Sequence, residues 1–427
     1  MNAVIAVLSA PGRLLERSRG LAQLSFGLVA FLLMMLCAFW IRHAASLNGL
    51  PRIAEPFDVA ALRAARPAET DNAFVLYRTA VGELSAETIE QILLVQSDAS
   101  FSGDPYLQQI AARHPAAIEQ FRDAADYPDA WTGDPADVPG VVALAKLSLA
   151  EAARLQGNGD LSGAWDHIRS ALRAGRHLGQ RAGWTGRSAG LLVQQEATGR
   201  IVDWAAHAKI DHDLLKIAIA DLEALDSMTP PDWLTMRYEY LHSLDRLSAS
   251  TPGQARPELR GSRRLDAFFR NEPERSRRVL RLMFANWLSE WILPADSRTD
   301  HVVTGVPSLY DNPDAPRVAR RVPPARLQEW YASSDLSTWE PPLVHFLSPS
   351  VTESLAGDSI QRANLIVLLA ERRYLLDHKE LPAGPENLLG LYLDRIPPAH
   401  DPSRSLRIPL DFENDPPTLL DTDPTSP

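Results

Sequence analysis

The sequence predicts a mainly α protein: a single N-terminal transmembrane helix, an α-solenoid-like array of helical hairpins, and a smaller helical C-terminal lobe. Three observations predict it. Leu21 to Ile41 (LAQLSFGLVAFLLMMLCAFWI) carries no charged residue and is apolar nearly throughout. Between residues 71 and 250, apolar positions recur at three-and-four spacing, the period of helices buried along one face. Finally, Ile360 to His378 contains ANLIVLLA, apolar almost all round but too short to cross a bilayer.

Residues 21–41, wound as a helix, reach roughly 30 Å, the thickness of a bilayer's hydrocarbon core. The run has no polar face, which a core helix of a soluble domain would normally keep. It also exceeds the roughly 7 to 15 apolar residues of a removable signal peptide. Ala44-Ala45-Ser46 offers a small-residue pattern suited to cleavage, and that alternative stays open. Arg13, Arg17 and Arg19 precede the run, while Arg42 and Arg52 follow it. The positive-inside rule then makes residues 1–20 a cytoplasmic tail and puts the rest outside the cytoplasm. The expected location is a bacterial inner membrane, crossed once, with the large domain periplasmic. Trp40 falls where an interfacial aromatic is expected.

Beyond the anchor, roughly 380 residues leave room for two domains or one long array. The net charge of −11 excludes a surface that is basic overall, as a nucleic-acid binder would need. Lysine is almost absent (Lys146, Lys209, Lys216 and Lys379), whereas arginine and alanine abound, a bias of GC-rich genomes. The single Cys37 lies within the apolar run, so neither an intrachain disulfide nor a thiolate metal site can form. The domain's size allows stability without such staples.

Residues 42–70 read as a spacer with scattered prolines. Asp71 or Asn72 caps a helix through AFVLYRTAVGEL, and Ser85 opens AETIEQILLVQ with Glu87 in its first turn. A third helix lies around Pro115 to Ala125, and Tyr127 to Pro139 reads as a loop. Val141 to Leu155 is an alanine-rich helix, broken by Gly157-Asn158-Gly159-Asp160. In the next helix, Leu161, Ala164, Trp165, Ile168, Ala171, Leu172, Gly175 and Leu178 form one stripe. Further helices cover Ala189 to His207, the stretch after Asp211, and Trp233 to Leu247, giving a repeat-like domain at 71–250. Residues 251–325 form an Arg- and Pro-rich connection, with one helix over Glu274 to Ile292 carrying Leu280, Phe284, Trp287, Leu288 and Trp291. Pro294 to Pro324 shows neither helical nor strand pattern. A C-terminal helical lobe occupies 326–410, and 411–427 is an acidic, proline-rich tail of disordered composition.

Gly159-Asp160-Leu161 with Ala164 and Ala171 seven apart resembles the second helix of a tetratricopeptide-type repeat, although Ala152 stands where that pattern wants glycine. The resemblance covers about one repeat, and a stable array needs at least three. In the C-terminal segment, Tyr374, Leu381-Pro382, Asn387-Leu388-Leu389, Tyr392-Leu393, Arg395-Ile396-Pro397 and Asp401-Pro402 resemble the tail of the pseudopilins of type II secretion. An extended piece, Leu406-Arg407-Ile408, follows. The usual glycine is replaced by Lys379-Glu380 and no pseudopilin processing site precedes the span. The chain is also similar to uncharacterised single-span helical proteins of bacteria, a resemblance that implies an envelope location and no activity.

Four patterns bear on chemistry. Gly186-Arg187-Ser188-Ala189-Gly190 matches G-x-S-x-G, but a nucleophile elbow needs a preceding strand, and His177 to Thr185 continues from a helix. Ser188 therefore reads as a helix N-cap. Gly157-Asn158-Gly159 lacks the strand of a dinucleotide fingerprint and reads as a turn. Asp211-His212-Asp213 is the densest polar triplet, with Asp211 as a cap. Between Arg256 and Arg281, nine arginines face four carboxylates. Within this run Arg263, Arg264, Arg277 and Arg278 are candidate contacts for an anionic partner, the other reading being ion pairs with the protein's own carboxylates. No catalytic, metal-binding or cofactor-binding residue is expected. The function expected is a membrane-anchored binding or scaffolding protein of the envelope, held by the bilayer through residues 21–41, with a protein partner and no nucleic acid. The alternatives are an envelope hydrolase or an accessory subunit of a secretion- or pilus-like assembly.

Overall fold

The computed structural model describes residues 26–45, 47, 49–95, 104–133, 135–249, 271–291, 302–304, 320–322, 324–339, 349–404 and 406. Arg263, Arg264, the acidic tail and most of Leu406–Ile408 lie outside the described residues. The protein is mainly helical. It divides into two compact units, Met1–Phe57 with Ser243–Leu343, and Asp58–His242 with Val344–Pro427.

In the first unit, α1 (Phe26–Ala45) is long and apolar enough to cross a membrane, and none of its apolar stretch is buried. Phe26 is 76% and Trp40 60% exposed. Past its end, Leu50, Ile53 and Phe57 turn inward and are buried.

The remaining elements of this unit lie far along the chain. Helix α12 (Glu272–Trp291) starts after Asn271, whose φ of 53° lies in the left-handed region that asparagine tolerates. As the three-and-four stripe requires, Leu280, Phe284, Trp287 and Leu288 are buried. The side chain of Trp291 lies outside what is described. The stretch expected to lack any strand contains β1 (Val302–Thr304) and β2 (Arg320–Val322), paired antiparallel with Val302 opposite Val322. Three β-branched residues in a row suit a pleated strand, but a run so short is invisible beneath the surrounding prolines. Helix α13 (Pro324–Ala332) and a 3₁₀ turn, Asp335–Thr338, complete this unit.

The second unit holds the main core. It opens with α2 (Val59–Ala64), capped by Asp58, inside the stretch expected to be a spacer. Asn72 caps α3 (Ala73–Gly82) and Ser85 caps α4 (Ala86–Leu94), with Glu87 in its first turn as the helix dipole favours. Helix α5 (Pro105–Arg113), not among the helices expected, is capped by Asp104 and buries Leu107, Ile110 and Ala111 along one face, and α6 (Pro115–Ala125) follows after a single residue. Then come α7 (Val138–Gly157), α8 (Leu161–Gln180), α9 (Trp184–Ala206) and α10 (His212–Met228). Helix α11 (Asp232–Ala249) begins in this unit, and α14 (Pro349–His378) is its longest element.

The turn between α7 and α8 places Gly159 at φ +83°, where a Cβ would be strained. Asp160 then caps α8 by accepting from Gly163 N at 2.9 Å. Helices α8 and α9 form an antiparallel hairpin, with Gly175 against Gly190 near one end and Trp165 against Trp204 (4.8 Å between centroids) near the other. The approach is backbone-close. A Cβ on Gly186 would stand 2.5 Å from the Leu178 carbonyl oxygen, and one on Gly190 would fall on that of Gly175. Both glycines of the apparent nucleophile elbow therefore serve helix packing. Helix α14 packs against α9 and α10 with Leu365 to Ala370 buried, then turns through the 3₁₀ segment Pro385–Leu388, anchored by buried Leu388.

Candidate functional site

The second unit contains a cleft of about 380 Å³ where α5 and α6 face α7 and α8. Its apolar lining comes from Ala111, Ala112, Pro115 and Ile118. Its polar lining is Glu119 and Arg122 on α6, Glu151 and Arg154 on α7, and His167 on α8. On α6 and on α7 the two charged residues are three apart, so both side chains share one face. The α7 pair is closed: Arg154 donates from Nε at 2.8 Å and Nη2 at 2.5 Å to the two Glu151 oxygens. These bonds hold the Glu151 carboxyl below its ordinary pKa. On α6, Arg122 reaches Asp166 at 3.9 Å, its one ion pair among the described residues.

His167 is 7% exposed, and its Nδ1 lies 3.1 Å from Ser148 Oγ. Burial first, and then the neighbouring Arg122, pull its pKa down to about 4, so the ring is neutral near pH 7. Ser148 is itself fully buried and also reaches the His167 carbonyl at 3.1 Å, which makes it a support for the ring.

A second polar cluster lies under α14. Arg176 donates from Nη1 at 2.7 Å and Nη2 at 3.0 Å to the Asp358 carboxylate, and Arg362 reaches both Asp358 (3.4 Å) and Asp226. Arg187 is 3% exposed, and its buried Nε has no hydrogen-bond partner among the described residues. Burial raises the Asp358 carboxyl, but Arg176, Arg362 and Arg187 together hold it below its ordinary range. The cluster joins α8 to α14.

Ser188 is not an N-cap. It lies inside α9, whose cap is Gly183, and its Oγ donates to the Thr185 carbonyl at 3.1 Å. The helix starts five residues before the apolar pattern places it, because Trp184 N finds an acceptor in Glu239 Oε2 at 2.8 Å. Helix, not strand, presents Ser188. Asp211 caps α10 through Leu214 N at 2.8 Å, and His212 Nε2 reaches Asp377 Oδ1 at 3.0 Å. Among the described residues, no group of three or more His, Cys, Asp or Glu side chains is placed to hold a metal ion.

Of the arginine candidates, Arg277 and Arg278 both reach Glu274, at 3.3 and 2.8 Å. Arg278 also donates to the Leu50 carbonyl at 3.3 Å, and Arg281 bonds Glu55. Arg275 bonds Ser333 and Glu272. These contacts fasten the segment after α1 to α12 within the first unit. The cleft residues Glu119, Arg122, Glu151, Arg154 and His167 belong to no motif in the sequence. Their one signal is a Glu-x-x-Arg spacing at 119/122 and 151/154, and the same spacing recurs at 16/19, 272/275 and 274/277, as on solvated helix faces. No family model matches the chain, and neither a curated protein nor a solved structure matches it.

Proposed function

We propose that this is a membrane-anchored helical binding or scaffolding protein of the bacterial envelope. In this reading it spans the inner membrane once through residues 21–41 and holds a solenoid-like, tetratricopeptide-like helical domain on the periplasmic side. The observation that carries it is α1, a 20-residue apolar helix with no part of its apolar stretch buried, which in water would expose a continuous apolar cylinder. The consecutive hairpins of α7, α8 and α9 support the array. The open cleft with mixed-charge walls supports binding rather than reaction, because its histidine is held by a buried serine and its α7 carboxylate is committed to an arginine. The contacts of Arg278 and Arg281 within the first unit support a structural role for α12 over a lipid-binding one.

The test is protease added to intact spheroplasts of cells making the full chain. The large domain should be digested while the N-terminal tail stays protected, and the membrane fraction should retain the chain after carbonate washing. A domain protected until the membrane is lysed would reverse the orientation. Release by carbonate, with loss of the first residues, would mean that α1 is removed.

A further inference from the structure

We infer that the cleft between α6 and α7 binds a small zwitterion, namely an α-amino acid with an apolar side chain. The inference rests on reading this cleft as the binding site. The α7 wall is satisfied within itself, since both Glu151 oxygens accept from Arg154. The α6 wall is open. Glu119 is exposed and has no hydrogen bond or ion pair from its side chain among the described residues, and Arg122 stands 3.9 Å from Asp166, beyond hydrogen-bond reach. Glu119 and Arg122 are three residues apart on one helix face, so a single small ligand can meet a negative and a positive group at once.

The imidazole supplies the third polar contact. The Ser148 hydroxyl has one proton; given to the His167 carbonyl, it leaves Oγ to accept from Nδ1–H. In that assignment Nε2 is an acceptor, and a neutral acceptor on a residue that lines the same cleft as Glu119 suits an ammonium group. Arg122 then takes the ligand's carboxylate, and Ala111, Ala112, Pro115 and Ile118 take its side chain. A wholly anionic ligand would meet Glu119 and the Nε2 lone pair. A wholly cationic one would meet Arg122. A cleft of about 380 Å³ holds an amino acid with room for water.

The experiment uses the full chain in detergent, with Cys37→Ser and Ala112→Cys so that a maleimide reports on the cleft. Three probes of similar shape compete with labelling: L-leucine, 4-methylpentanoate (no amine) and 3-methylbutylamine (no carboxylate). Leucine should slow labelling at a concentration at least tenfold lower than either analogue. Arg122→Gln should erase its advantage over 3-methylbutylamine, and Glu119→Gln its advantage over 4-methylpentanoate, with circular dichroism unchanged in both. If one analogue protects as well as leucine, the zwitterion assignment is overturned while the cleft stands as a binding site. If none of the three protects, and neither does a wider set of neutral and charged small molecules, the reading of the cleft as a binding site falls as well.

Discussion

Arg176 and Asp358 are 182 residues apart in the chain and meet in a bidentate ion pair, 2.7 and 3.0 Å, with side-chain exposures of 1% and 6%. The pair ties α14, formed late in the chain, to the hairpin of α8 and α9. Arg362 adds a second guanidinium to the same carboxylate, and Arg187 lies close enough to act on it electrostatically.

Removing one partner of a buried pair leaves an uncompensated charge, which costs more than the pair itself contributes. Asp358→Asn should therefore destabilise the protein by about 3 to 5 kcal/mol, whereas the apolar double change Arg176→Met with Asp358→Leu should cost clearly less. Chemical unfolding of the full chain in detergent measures both. A double variant as unstable as Asp358→Asn would mean that packing, and not the stranded charge, dominates.

The glycines at the α8–α9 crossing give a second expectation. Gly190→Ala must push a methyl into the Gly175 carbonyl, and overpacking of this kind costs about 1 to 3 kcal/mol. Gly357, inside α14, has open space within 4 Å of where a Cβ would stand. There alanine should instead stabilise, by about 0.5 to 1 kcal/mol, through helix propensity. Thermal melts of the two variants should shift in opposite directions.

Acid sensitivity follows from two buried histidines. His177 is fully buried, and its ring lies between Tyr77 Oη at 2.9 Å and the Tyr127 carbonyl at 3.0 Å. Burial, with Arg173 beside it, brings its pKa to about 3, and that of His167 is about 4. Both folded values lie below the unfolded value of about 6.5, so the unfolded chain takes up protons first as pH falls. The stabilisation is complete above about pH 6.5 and is lost progressively as pH drops toward the folded values. Between about pH 7 and pH 5 each histidine should remove about 2 kcal/mol. The unfolding midpoint at the two pH values measures the sum, and His167→Asn should flatten part of the slope. An equal slope in that variant would assign the effect to other groups.

The arginines of α12 separate by what they touch. Arg278→Gln removes the bond to the Leu50 carbonyl and the pair with Glu274, and should cost about 1 to 2 kcal/mol. The more exposed Arg277 shares Glu274 at 3.3 Å, and its change to Gln should stay within about 0.5 kcal/mol. Neither should alter sedimentation with anionic liposomes beyond what α1 produces. Lost sedimentation with an unchanged melting temperature would assign these arginines to a lipid surface.

Local patterns are enough for most of the helices, because periodicity, caps and turns are properties of neighbouring residues. The stripe from Leu161 to Leu178 is buried as spaced, Asp160 and Asp211 cap the helices that follow them, and Gly159 makes the turn that only a residue free of Cβ strain makes easily. The uncharged run at Leu21 to Ile41 likewise announces a long apolar helix, described from Phe26 to Ala45, that is long and apolar enough to cross a membrane. Tertiary structure decides the rest. Gly186 and Gly190 suggest a serine elbow when read in order, but folded they admit the backbone of a facing helix, so their meaning depends on Leu178 and Gly175 across the hairpin. The N-terminus of α9 is fixed by Glu239, far along the chain, which accepts from Trp184 N. The pairing of Arg176 with Asp358 and the cleft that Arg122 and His167 line together bring side chains from different helices together. Burial and juxtaposition of that kind arise only when helices pack, and no spacing within a single helix encodes them.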